Sequence, residues 1–268
     1  MSTRTIFDGS KDSYIDSCYY RNNGKIASLA PNCATYLLRI TEGDILSYNG
    51  TLSSTNYLCN FYNSSLEFVS NMETTSYTIT VPKNAFYVGF NIAKEYINSL
   101  TITCNSPDDS YLNDPYYTGE LLYSSDTDDG KTSGSYIKGE TGGIVSASGT
   151  AVTSAIDLTN TSYIQILNEY NNKNAGVFFN ESGNRISNLL GGGTDPAFIR
   201  VPSNAKTLKC TISESTTFKI YKYSLSDGSP SIVPGETLSN GIYINSEKVS
   251  YKGKSLSSII DYILSRVN

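Results

Sequence analysis

The chain has 268 residues, enough for one large domain or two of ordinary size, each able to bury its own core. Its net charge is −5 with 17% charged residues, so no basic face announces a nucleic-acid partner. Histidine and tryptophan are absent, which removes the commonest general base, the Ser-His and Cys-His nucleophile pairs and most zinc sites.

What is left is a hydrophobic share of 38%, with 22 Tyr and 9 Phe supplying much of the apolar area. The polar remainder is rich in Ser, Thr and Asn, which disfavour helix interiors and favour strands, turns and caps. The N-terminal MSTRTIFDGSKDSYID has no apolar signal-peptide core, and no apolar run reaches the length of a bilayer span. The expectation is assembly in the cytoplasm without membrane insertion.

The first recognisable landmarks are GKIAS at 24–28 and LRIT at 38–41. Two short strands then flank a polar turn in NYLCNFYN and SSLEFVS. SYTITVP alternates Tyr77, Ile79 and Val81 against Thr78 and Thr80, and AFYVGFNI puts Phe86, Val88, Phe90 and Ile92 on one face. LTITC closes this stretch with the same period of two.

Residues 106–133 are acidic and rich in turn formers and read as a connector. Their DTDDG resembles the start of a calcium loop, although its Gly comes one place early and no bidentate Glu follows. No metal or other cofactor is expected.

Beyond the connector the landmarks return in the same order. GGIVS (142–146) and IDLT (156–159) answer GKIAS and LRIT at a shift of 118. Asn174 answers Asn56 at the same shift, FFNESGNRISN (178–188) answers FYNSSLEFVSN (61–71) at 117, and VPSNA (201–205) answers VPKNA (81–85) at 120. Five ordered landmarks with almost no drift identify a tandem duplication.

Seven or eight short strands in about ninety residues, punctuated by Gly, Pro and Asn, predict a β-sandwich for each copy. The chain is therefore expected to be all-β: two tandem jelly-roll-like sandwiches over 1–105 and 134–225, with the connector over 106–133 between them. Ile26 and Ile144, Phe61 and Phe178, and Val81 and Val201 should fill equivalent buried places.

Residues 226–268 begin with a Pro/Gly linker, SDGSPSIVPGE, followed by hairpin-like alternation in GIYINSEKVSYKG. The chain closes on KSLSSIIDYILSRVN, where Ser255 or Ser257 can cap a helix. Ile259, Ile260, Ile263, Leu264 and Val267 form its apolar stripe. A helix this short is unstable alone, so the stripe must dock: on a partner copy in a homo-oligomer, with a trimer favoured, on a virion surface, or back on its own domain.

The five cysteines, Cys18, Cys33, Cys59, Cys104 and Cys210, have no CxxC spacing. They read as small buried hydrophobes of a reducing cytoplasm, with one or two disulfides among the first four as the alternative. The four Asn-x-Ser/Thr sequons are what this composition yields by chance.

The repeated order G-x-I-x-S, a strand of the LRIT or IDLT type, N…F-Y/F-N-x-S/G…I-S and TVPxNAxYVxFNI resembles the β-sandwich modules of phage tail and fibre proteins. These modules are similar to carbohydrate-binding modules and decorate tail fibres, baseplates and head fibres. The resemblance covers both copies, about two thirds of the chain. The second copy departs from it, with AKTLKCTI where the first has AFYVGFNI. It implies a non-enzymatic bacteriophage virion protein, a fibre or decoration module, with other virion proteins as partners and a host-surface glycan as a possible ligand. The alternatives are a bacterial cell-surface glycan-binding protein and a polysaccharide depolymerase.

The repeated FYN/FFN phrase then has two readings. In one, Phe61 and Phe178 pack in the sandwich while Asn63 and Asn180 start the hairpin turn. In the other, the aromatic-rich first copy presents Tyr57, Tyr62, Asn63 and Tyr87 as a glycan edge, stacking rings on a sugar and bonding its hydroxyls. Candidate carboxylates for an enzyme, Asp44, Glu67, Asp157 and Glu181, are scattered and none pair between the copies, whereas glycosidase chemistry needs two carboxyls about 5–10 Å apart across a substrate cleft.

Overall fold

The structure, a computed structural model, describes residues 2–50, 58–73, 77–107, 114–170, 175–191, 193–226, 250–251 and 254–255. It is all-β in two similar halves. The first half contains β1 (Ser2–Asp8), β2 (Tyr14–Tyr20), β3 (Ile26–Thr35), β4 (Leu38–Arg39), β5 (Ile45–Asn49), β6 (Cys59–Tyr62), β7 (Phe68–Met72), β8 (Thr78–Thr80), β9 (Tyr87–Ala93) and β10 (Thr101–Ser106).

The second half contains β11 (Tyr117–Ser124), β12 (Thr132–Ile137), β13 (Ile144–Val152), β14 (Ile156–Asp157), β15 (Tyr163–Leu167), β16 (Gly176–Phe179), β17 (Arg185–Leu189), β18 (Ile199–Arg200), β19 (Thr207–Ser213) and β20 (Lys219–Leu225).

Each half stacks two antiparallel sheets. In the first, the back sheet runs β1-β10-β5-β8 and the front sheet β2-β3-β9-β6-β7, with β4 beside β9. Adding ten to every strand number gives the second half: β11-β20-β15-β18 behind and β12-β13-β19-β16-β17 in front, with β14 beside β19. The irregularities are duplicated too. The β1/β10 register slips between Thr5 and Phe7, the β11/β20 register between Leu121 and Tyr123. The β6/β7 slip at Phe61/Tyr62 recurs in β16/β17 at Phe178/Phe179. Bulges are built features that bend strands, so their repetition marks one ancestral backbone.

The repeated words are backbone requirements of this frame. Asn63 Oδ1 accepts from the N–H groups of Ser65 and Glu67, and Asn180 Oδ1 accepts from Asn184 N–H; each closes the hairpin turn between its two strands. Pro82 and Pro202 end a strand and start a turn closed by the N–H of Ala85 and Ala205. Gly24 and Gly142 have φ of 81° and 73°, where side chains are disfavoured, and a Cβ there would press on the ring of Tyr62 or Phe179. Thr35 Oγ1 accepts from Phe90 N–H at 3.0 Å, and Thr153 Oγ1 from Cys210 N–H at 3.0 Å.

Each sandwich has its own core, centred on Phe61, Val88, Phe90 and Ile102 in the first half and on Phe178, Leu208, Ile212 and Ile220 in the second. Phe61 and Phe178 occupy the same register, and Val81 and Val201 donate equivalent bonds to Asp44 and Ser162 carbonyls; all four are buried. The third expected pair is corrected. Ile26 and Ile144 hold equivalent positions opposite Tyr20 and Ile137, but Ile26 is 6% exposed and Ile144 47%. Among the described residues, only the first half's front face carries the other sandwich. Phe86 is also corrected: it precedes β9 and is half exposed, while Val88, Phe90 and Ile92 are buried.

The domain boundaries shift as well. The acidic stretch 106–133 is not all connector, because β11 lies within it and pairs along its length with β20. Its counterpart β1 likewise belongs to the first sandwich. The first sandwich's last strand ends at Ser106 and the second's first strand begins at Tyr117. Near the C-terminus, Ser250–Tyr251 and Lys254–Ser255 pair as a short hairpin, so Ser255 lies in a strand. The stripe of Ile259, Ile260, Ile263, Leu264 and Val267 lies outside the described residues. No helix among the described residues is long and apolar enough to cross a membrane.

Candidate functional site

The residues expected to form a glycan edge do not come together on the surface. Tyr62 is fully buried; its hydroxyl donates to Gly24 O at 2.7 Å and its ring meets Phe198 edge-on at 5.0 Å. Tyr87 is buried too, its hydroxyl accepting from Tyr117 N–H at 3.1 Å. Asn63 is committed to its turn, and its amide donates to Glu67 Oε2 at 2.7 Å. Tyr57 lies outside the described residues. The physical reason is the second sandwich, which packs on the face where these rings were expected to meet a sugar. The phrase repeats because the turn repeats.

These rings build a junction. Ile15, Cys18, Tyr20, Ile26, Leu37, Tyr62, Leu66 and Tyr87 from the first half form one apolar cluster with Leu167, Phe198, Tyr221 and Tyr223 from the second. Phe198 is gripped edge-on by Tyr62 and by Tyr223, at 5.0 and 4.9 Å, an arrangement favoured by ring quadrupoles. A Cβ on Gly119 would lie 2.6 Å from the Tyr36 ring and 2.7 Å from that of Tyr223, so glycine lets the strand pass between them.

The phenols satisfy themselves internally. Tyr20 donates to Thr35 O at 2.9 Å and Tyr223 to Gln165 Oε1 at 3.1 Å. Burial pushes the phenol pKa values of Tyr20, Tyr62 and Tyr223 far up, so these rings hold their protons.

The rim of the junction is polar. Ser28 bonds Asn168, and Lys25 Nζ donates to Gly193 O at 3.0 Å and stands 3.8 Å from Glu169 Oε2. Burial, followed by the neighbouring Asp195 carboxyl, pushes Glu169 up to about 8. Asp195 is fixed by the N–H groups of Leu190 and Gly191. The sequence reading missed this pair, whose members stand 26 residues apart with no motif around them. The two carboxyls act on each other at the junction rim.

The other carboxylates have structural duties. Asp44 is buried and accepts from Ser106 Oγ at 2.7 Å and from Cys104 Sγ at 3.2 Å. Glu67 serves the Asn63 turn, and Asp157 holds Thr159 with its oxygen 3.7 Å from Lys206 Nζ. Asp128 of DTDDG receives the Tyr123 hydroxyl and the N–H groups of Gly130 and Ser154. Burial raises its pKa, but these donors outweigh it and hold the carboxylate low. All five cysteines are buried free thiols, and burial pushes Cys33 up to about 12. No metal-binding group of His, Cys, Asp or Glu occurs among the described residues.

Among the described residues, two open clefts lie on the second half. One, of about 420 Å³, is lined by Ser125, Asp126, Lys131, Ser133, Ala151, Ile212 and the 213–217 turn, which carries Glu214. The larger, of about 760 Å³, lies where β15 and β18 meet the turns after Leu158 and Pro202, with Tyr117, Tyr163, Arg200 and Lys206 in its walls. It combines aromatic rings with hydrogen-bonding groups and is the best candidate for a ligand site.

No family model matches the chain, and no curated protein matches it. Among solved structures, PBSX exported protein XepA is similar over 84% of this chain and 86% of that one, with 8% identity and a TM-score of 0.22. The M60 catalytic domain with the CBM51-1 and CBM51-2 domains from Clostridium perfringens ZmpB is similar over 84% of this chain and 37% of that one, with 10% identity and a TM-score of 0.18. At those scores neither likeness bears on function.

Proposed function

We propose that this chain is a non-enzymatic structural module of a bacteriophage particle, a fibre or decoration segment that carries a host-facing surface. The observation that carries the reading is the junction. A dozen buried side chains, mostly aromatic or aliphatic, bind two sandwiches into one stiff unit, where a simple tandem array would leave a flexible link and a small polar contact. Stiffness over two domains suits a load-bearing spacer and is wasted on a tethered pair of lectin modules.

Two further features agree. The carboxylates Asp44, Glu67, Asp128, Asp157 and Glu169 serve cores, turns and the junction rim, which takes these five out of the acid/base pair that a depolymerase would need across a cleft. Five thiols in hydrophobic cores suit a protein made in a reducing cytoplasm, where virions assemble. Homo-oligomerisation, as a trimer, belongs in this reading to the stripe at 259–267.

The test is mass spectrometry of density-purified particles from an induced culture of the host, with immunogold labelling to locate the chain. Stoichiometric presence in particles is the expected result. A chain found on the bacterial surface and missing from particles would favour the cell-surface alternative and overturn this one. Light scattering of the full chain and of a chain truncated at Thr237 should give a trimer and a monomer. Identical masses would remove the helix as the assembly element.

A further inference from the structure

The larger cleft has an internal control, because the first half contains the same place in the fold. Arg200 on β18 faces Tyr163, as Thr80 on β8 faces Ile45. Lys206 donates its N–H to Phe179 O, as Phe86 does to Tyr62 O. Ser162 accepts at its carbonyl from Val201 N–H, as Asp44 does from Val81 N–H. At these three positions the first half carries Thr, Phe and Asp, and the second Arg, Lys and Ser. The sandwich folds with either set, so the fold does not require the two cations.

Their setting is unusual for this protein. The chain is acidic overall, with 25 Asp and Glu against 20 Lys and Arg, yet no acidic residue lines the cleft. Arg200 is exposed and makes no hydrogen bond or ion pair with the described residues. Lys206 Nζ donates to Thr159 Oγ1 at 2.6 Å, with an Asp157 oxygen at 3.7 Å. A guanidinium left open in a cleft that also holds a second cation suits a planar two-oxygen anion. Tyr117 and Tyr163, packed edge-on at 5.1 Å, form a half-buried aromatic wall. The Asn160 backbone is fixed by the Ser224 hydroxyl at its carbonyl.

We infer that this cleft binds an acidic saccharide, with its carboxylate or phosphate at Arg200 and Lys206 and a sugar ring against Tyr117 and Tyr163. The inference deepens the host-facing part of the proposed function and rests on it for its biological sense. It also moves the glycan site from the first copy, where Tyr62 and Tyr87 are buried, to the second.

Calorimetric titration of the full chain tests it with three probes: oligogalacturonate, its fully methyl-esterified form with the same rings and no charge, and a poly(N-acetylglucosamine 1-phosphate), which pairs sugar rings with phosphate. At least one charged probe should bind in the millimolar range or better, weaken as salt rises, and exceed the esterified probe. Which charged probe binds tells carboxylate from phosphate. Arg200→Thr, which installs the first half's residue at an exposed position, should cost about tenfold or more in affinity and leave the melting temperature unchanged. Equal binding of the esterified probe, unchanged affinity in Arg200→Thr, or no charged probe bound at millimolar concentration overturns the site. Presence or absence of the chain in purified particles is decided separately, so either reading can fail while the other stands.

Discussion

The two back sheets have the same strand order and register and opposite outer faces. Inside, matched positions stay aliphatic: Leu46 and Ile164, Ile79 and Ile199, Ile102 and Ile220 are all buried. Outside, Ser47, Asn49, Thr78, Thr103 and Asn105 of the first half correspond to Gln165, Leu167, Phe198, Tyr221 and Tyr223 of the second. The first set faces solvent or its margin; the second lies in the junction. A strand's inward face is thus dictated by its own sandwich and its outward face by its neighbour, because successive side chains point to opposite sides. After duplication the two faces were free to diverge independently.

The most severe way to break this asymmetry is to give the second half the first half's residue at the centre of the junction. Phe198→Thr removes a ring held by both Tyr62 and Tyr223 and should cost about 3–5 kcal/mol in urea unfolding. Thr78→Ala, at the matched exposed position, should stay within about 0.5 kcal/mol. A loss below about 1 kcal/mol for Phe198→Thr would mean that the halves are not held together by this cluster.

Next in size is a change that should cost the same in both halves. Thr35→Val and Thr153→Val each leave a buried N–H, of Phe90 or Cys210, without its acceptor. Each should lose about 1–3 kcal/mol, the penalty for an orphaned buried donor. Differential scanning calorimetry that shows one variant affected and the other silent would contradict the equivalence of the two frames.

The rim of the junction provides a pH-dependent test. Glu169, pushed up to about 8 by burial and Asp195, keeps its proton in the folded chain at neutral pH, whereas near its ordinary 4.5 it would release it. The folded state therefore holds the extra proton between those values. The stability this contributes is complete below about pH 4.5 and is lost as pH rises through about 8. The melting temperature of the native chain should fall across that window relative to Glu169→Gln, which cannot ionise. Parallel profiles for the two proteins would show that Glu169 titrates normally.

The features legible from sequence were those that impose a backbone requirement. Asn63 and Asn180, Gly24 and Gly142, and Pro82 and Pro202 recur because a turn admits few residue types, and they revealed the duplication. Strands β1 and β11 escaped notice because STRTIFD and YTGELLYS share alternation but no such requirement, and acidic turns surround the second. The junction was illegible for a deeper reason. A row of tyrosines at every second position looks the same whether it meets a sugar or another sandwich, and nothing local to Tyr62 or Tyr87 says which. The candidate cleft was missed because Arg200 and Lys206 belong to no motif; setting them against Thr80 and Phe86 in an alignment of the two copies would have exposed them.

The smallest expected effect concerns the turn that both halves repeat. Asn63 accepts two backbone N–H groups and Asn180 one, so Asn63→Ala should cost about 1 kcal/mol and Asn180→Ala about half that, given roughly 0.5–1.5 kcal/mol per bond and partial solvent exposure. The asymmetry has a cause in the turn itself. The left-handed position is Gly183 in the second half, φ 76°, but Leu66 in the first, φ 59°. A leucine there is strained by about 1–2 kcal/mol, tolerated because its side chain is buried in the junction. The first turn is thus held in a conformation its own residue resists, and its asparagine carries more of the burden. Equal losses for the two alanine variants in urea titrations would show that the junction alone, without the Asn63 cap, keeps Leu66 in place.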